Sequence, residues 1–231
     1  MAGFSGWRVR RGAAVRRFSD GLVVQTAGTG SLDLAVCRVA EGHPSHADIG
    51  LLRPLVAACA SEGIRRDTGI VSWLHWPDLV TIGGRVVAKT SLSIGAGREA
   101  DQVKFVLSIS VNCFSSVSLA SAAELPGTSI LEALGVEIDL DLLRDKILHA
   151  LDWYYAEWER GMHAKLVERI QPTIPWLGGG IKVRMVDGRV LRGTARGLDV
   201  HGSLLLEPRQ GNKREDALAL SPGSVELVLA E

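Results

Sequence analysis

Arg85 and Lys89 are two cations four residues apart in a strand-like run, RVVAKTSLSI. On an unbroken strand such positions share a face. The pair could therefore clamp an anion such as a carboxylate or phosphate, or sit as two solvated cations on a strand edge. Asp78, in Trp76-Pro77-Asp78, offers a carboxylate for a metal–phosphate complex or for a plain ion pair. Trp76, beside Trp73 and His75, could stack on a ligand ring or fill core and turn. Gly28 and Gly30 could let backbone N–H groups approach a phosphate, or simply make a turn. His163 and His201 have no carboxylate, serine or cysteine at suggestive spacing and receive no role. Cys37, Cys59 and Cys113 contain no C-x-x-C pair, so neither a disulfide framework nor a zinc site is supported.

The elements that would position these residues can be read from periodicity. Residues 21–25 and 31–39 are strand-like runs split by a Gly-rich turn, which predicts a β-hairpin. Residues 49–63 place Leu51, Leu52, Leu55, Val56 and Cys59 at helical spacing, with Gly63 as the expected stop. Strands are expected over 69–74, 84–94 and 103–114, the last with Phe105, Leu107, Ile109 and Val111 on one face. Helices follow from Thr128 and over 141–160, the latter with Leu142, Leu143, Ile147, Leu151, Tyr154 and Trp158 in its apolar stripe. After Pro172, Pro175 and the glycines at 178–180 come short strands only, which reads as a small all-β appendage. The expectation is an α+β chain with two domains, 1–177 and 181–231.

The chain has 231 residues, 46% of them hydrophobic, which suits a globular core, and a formal net charge of +0. No global field favours nucleic acid or an anionic membrane. Five arginines between Arg8 and Arg17 form a local basic cluster, either a phosphate-binding arm or a solvated strand. No apolar stretch is long enough to span a membrane, and no secretory signal is evident, so a cytoplasmic location is expected.

Four segments, in order, resemble biotin–protein ligases. WLHWPDLVTIGGRVVA (73–88) is similar to the family's K-W-P-N-D stretch and its following K-K-hydrophobic-A-G, and VLSISVN (106–112) to V-I-G-I-G-I-N. TSILEALG, opening residues 128–161, resembles T-S-L-x-E-x-x-G and its long helix. RMVDGRVLRGTARGLDVHGSLLLE, from Arg184, resembles the C-terminal barrel. Gln25 to Gly30 is similar to the start of the Gly/Arg-rich loop, Q-x-x-G-R-G. The resemblance implies an α+β fold, with a mixed sheet, helices and a C-terminal SH3-like barrel. It implies activation of biotin by ATP as biotinyl-adenylate, with Mg as a possible ion, and transfer to a lysine of a biotin carrier protein. A homodimer is also implied, pairing through the strands near 85–94 and 104–114. By position, Arg85 takes the family lysine's place, with Lys89 beside it, as the catalytic cations. Gln25, Gly28, Gly30, Trp76, Asp78 and Asn112 become the ligand-binding set.

This sequence departs from the pattern in three places. The middle of the Gly/Arg-rich loop is missing, with Thr29 where its first arginine would be. The W-P-N-D motif lacks its Asn, and the earlier D-S-T-N motif has no counterpart. Three readings therefore stay open: a divergent ligase, a non-catalytic relative that binds a ligand or a protein, and an enzyme for another acid.

Overall fold

The computed structural model describes residues 8–11, 20–27, 30–41, 44–96, 102–115, 125–209 and 217–231. In chain order these form β1 (Arg8–Arg11), β2 (Leu22–Ala27), β3 (Ser31–Glu41), α1 (His46–Thr68), β4 (Trp73–His75), β5 (Leu79–Ile82), β6 (Arg85–Ala96) and β7 (Gln102–Asn112). Then come α2 (Ile130–Leu134), α3 (Leu140–Glu159), α4 (His163–Ile170), β8 (Gly180–Met185), β9 (Val190–Leu198), β10 (Leu204–Pro208), β11 (Leu218–Leu220) and β12 (Val225–Ala230). The first seven strands make one mixed sheet, ordered β1-β2-β3-β7-β6-β5-β4. Only β1 and β2 run parallel.

The sheet separates two environments by simple alternation. Leu32, Leu34 and Val36 of β3 and Phe105, Leu107, Ile109 and Val111 of β7 are all buried on the helix-covered face. Helix α1 lies in that core, with Leu51, Leu52, Leu55, Val56, Cys59 and Ile64 buried. Ser45 caps its start by accepting from Asp48 N at 3.1 Å, and Gly69 ends it in the left-handed conformation, φ 74°. The helix thus runs past the expected stop at Gly63. That glycine serves packing instead, because a Cβ there would lie 2.9 Å from the Ile147 backbone. Its absence lets α3 approach. Helix α3 buries Leu143, Ile147, Leu151, Tyr154 and Trp158 as expected, but Leu142 is 48% exposed.

The C-terminal strands form a five-stranded antiparallel sheet, ordered β11-β10-β9-β8-β12, rather than the closed barrel expected. Closure would require β11 to pair with β12. Instead the Val228 carbonyl of β12 is bonded to His75 Nε2 at 2.7 Å, which ties that strand to the first sheet. Trp76 Nε1 donates to the Gly202 carbonyl at 3.0 Å and Arg53 Nη1 to the Pro222 carbonyl at 2.6 Å, along the same seam.

The edge expected for subunit pairing is mostly interior. Strand β7 lies between β3 and β6, and β6 pairs with β5 from Arg85 to Lys89. Only the remainder of β6 lacks a second neighbour among the described residues. Among the described residues, no helix is long and apolar enough to cross a membrane.

Candidate functional site on the open sheet face

The face of the first sheet turned away from α1 carries a hollow of about 350 Å³. One row across it, set by strand register, reads Thr26, Asp33, Ser110, Lys89. The next reads Val24, Ala35, Ser108, Ser91. Small side chains in the second row leave the floor low, which creates the hollow. The first row supplies its chemistry. Asp33 accepts from Ser31 Oγ at 2.6 Å and from Ser110 Oγ, so its carboxylate is held upright by two hydroxyls. Lys89 stands two strands away, about 10 Å at ordinary strand spacing. An ammonium and a carboxylate at that separation suit a ligand with an anionic end and a hydrogen-bond-donating end.

Arg85 is not part of this hollow. In the β5–β6 ladder, Leu79 pairs with Lys89, Val80 with Ala88, Thr81 with Val86 and Ile82 with Arg85. Val87 is the extra residue of a bulge, so the alternation slips by one. Arg85 therefore lies on the opposite face from Lys89. Its guanidinium pairs with Glu132 of α2, and that hydrogen bond holds the Glu132 carboxyl below the usual carboxylate range. The expected two-cation clamp is not formed.

Most other anticipated ligand-binding residues are engaged in the frame. Gln25 sits on the helix side, its Oε1 accepting from Arg144 Nη1 at 3.0 Å. Trp76 is fully buried against the Gly202 turn. The Asp78 carboxylate accepts from Arg53 Nη2 through Oδ2 at 2.5 Å, an ion pair within the frame. Asn112 is buried one row from the hollow, beside Ser31, and donates to the Thr128 carbonyl at 3.0 Å. Gly30 has φ 116°, and a Cβ there would strike Ser115. It marks a close approach at the end of β3, where its carbonyl accepts from both Cys113 and Phe114 N–H groups. Gly28 lies outside the described residues. All three thiols are buried, and burial pushes that of Cys113 up to about 12. It is no nucleophile near neutrality.

Asp33, Ser91, Ser108 and Ser110 were missed from the sequence, although the signal was there. The apolar face of β7 was legible by its period of two. The complementary positions, with the SLDLA alternation of β3, spell out the polar face.

No protein-family model and no curated protein matches the sequence significantly. Solved structures do match. Biotin protein ligase from Aquifex aeolicus superposes with a TM-score of 0.74 at 16% identity, over 93% of this chain and 90% of that one. The same protein in complex with biotin and ATP gives 0.72 at 16%, over 93% and 91%. A biotin protein ligase-like protein of unknown function from Silicibacter sp. gives 0.74 at 15%, over 95% and 96%. At such identities the likeness is one of architecture, and it holds across nearly the whole chain: this protein has the biotin protein ligase fold.

Proposed function

We propose that this protein binds a small carboxylic acid of biotin's class in the hollow of its first sheet, as the initial step of a biotin-ligase-type reaction. The observation that carries the reading is the placement of Lys89 and Asp33 in one row of that hollow. Lys89 would receive the acid's carboxylate by a charge-assisted bond. Asp33 would accept from N–H groups at the other end, which a ureido ring such as biotin's provides. A volume of about 350 Å³ lies within the roughly 300–1,000 Å³ of small-molecule sites. A solved neighbour is a complex with biotin and ATP, which supports these as the two small ligands. The reaction would join the carboxylate to the α-phosphorus of ATP with loss of pyrophosphate, then pass the acyl group to the ε-amine of a carrier-domain lysine, forming an amide and releasing AMP and a proton. That carrier is the protein partner implied, and the free part of β6 is where a second copy could pair.

A second reading, a non-catalytic binding module, is favoured by the engagement of Arg85 with Glu132 and of Asp78 with Arg53. Those contacts leave Lys89 as the cation supplied by the described lining of the hollow, whereas an acid and a triphosphate bring several negative charges together. Calorimetric titration with biotin, followed by acid-dependent exchange of labelled pyrophosphate into ATP, separates the cases. Binding with exchange supports the ligase reading, and binding without exchange the module. Absence of binding to the parent protein at high concentration sinks both.

A further inference from the structure

Outside that site, three side chains far apart in sequence meet at one point. Asp48 lies in the first turn of α1, His163 opens α4, and His201 lies in the turn between β9 and β10. Asp48 Oδ1 is 3.2 Å from His163 Nδ1 and 3.3 Å from His201 Nδ1. The donor atoms of all three lie within 4.8 Å of one another. We infer that Asp48, His163 and His201 form a binding site for a divalent transition-metal ion of the zinc class.

The geometry and the donor set both point there. Ligands about 2.1 Å from a tetrahedral ion stand about 3.4 Å from one another, close to the two separations from Asp48. His201 Nδ1 is buried and, although 3.3 Å from Asp48 Oδ1, makes no contact of hydrogen-bond geometry among the described residues. A buried ring nitrogen without a well-formed hydrogen bond is costly, and coordination would satisfy it. Two imidazoles and one carboxylate select zinc, cobalt or nickel over magnesium or calcium, which prefer oxygen alone. Three protein donors leave a fourth tetrahedral position for an outside ligand. Asp48 and His163 also border a second hollow of about 610 Å³, through which an ion and that ligand could enter.

Each ligand is held by its neighbours, as outer contacts hold metal ligands elsewhere. The second oxygen of Asp48 accepts from Ser45 Oγ at 2.7 Å, and its carbonyl accepts from Trp158 Nε1 at 2.9 Å. The His163 ring stacks on Trp158 with centroids 6.3 Å apart. The His201 turn is shaped by Asp199, whose Oδ1 accepts from the N–H groups of His201 and Ser203. Gly202 then presses onto α1, one turn beyond Asp48, where a Cβ would lie 3.3 Å from Leu51 Cα. An ion here would tie α1, α4 and the C-terminal sheet together.

The test uses the untagged full-length chain, stripped with a chelator and titrated with Zn²⁺ and Co²⁺, with bound metal read by elemental analysis. One ion per chain is expected, undisturbed by excess Mg²⁺, with a Co²⁺ absorption spectrum of tetrahedral intensity. Asp48→Asn, His163→Gln and His201→Gln should each weaken binding by at least about 100-fold. Circular dichroism confirms that each variant is folded. Failure of the parent chain to retain either ion overturns the proposal without reference to any variant. Unchanged affinity in both folded histidine variants, or displacement by Mg²⁺, overturns it equally.

Discussion

Lys89 and Arg85 show how much one inserted residue can redirect. Both carry positive charge and both lie on β6, yet Val87 bulges between them and turns one to the open face and the other toward α2. Replacement of Lys89 by Ala removes a charge-assisted bond worth about 1.5–3 kcal/mol, so acid binding measured by calorimetry should weaken about 10- to 100-fold. Arg85→Ala should leave that binding constant unchanged, because its partner Glu132 is across the sheet. A large loss in Arg85→Ala would mean that the bulge is absent in solution. Strand alternation was legible from residue types, but the bulge was not. It is set by the ladder with β5, and nothing in VVA distinguishes a bulged valine from a paired one.

Helices and strands differ in how well their limits could be read. The buried faces of β3 and β7 follow the period of two, and the stripe of α3 follows the helical period apart from its first leucine. Gly63 misled because glycine signals both an ended helix and a close approach, and only a packed neighbour tells them apart. Gly63→Ala raises intrinsic helix propensity, yet it should destabilise the protein by about 1–3 kcal/mol through overpacking against Ile147. Chemical denaturation would measure this. A gain in stability would show that α1 and α3 are not so close. The open C-terminal sheet was equally hard to foresee. Its strands announce themselves, but whether the edges meet depends on what else binds them, here His75.

At the scale of the whole molecule, one route by which pH reaches the fold runs through that same seam. Burial holds the His75 imidazole below its ordinary value of 6.5. The unfolded chain therefore takes up a proton at this residue that the folded chain resists, and stability rises with pH where the unfolded state binds more protons. The contribution is complete above 6.5 and declines as pH falls below it. The carboxyls of Asp48 and Glu132, also held low, add a separate loss only below their ordinary values of 3.8 and 4.5. Thermal melts between pH 7.5 and 5 should show the first decline, and His75→Gln should flatten it. The meeting of Asp48, His163 and His201 belongs to this scale as well. Linear spacing could not show it, because the fold alone brings together residues more than a hundred positions apart.

The seam has one more property. His75, Trp76 and Arg53 reach carbonyls of Val228, Gly202 and Pro222, and the Gln171 side chain accepts from Leu198 N–H at 2.8 Å. On the C-terminal side every one of these bonds ends on the main chain. Through these four bonds the first part of the molecule grips the main-chain path of its appendage, while His201 and Gly202, described above, add contacts that depend on residue type. Side chains along the outer face of that appendage can thus be exchanged freely while its attachment persists, provided the turns keep their path. That makes the C-terminal sheet the part of this protein most open to acquiring new surfaces, whether by drift or by design.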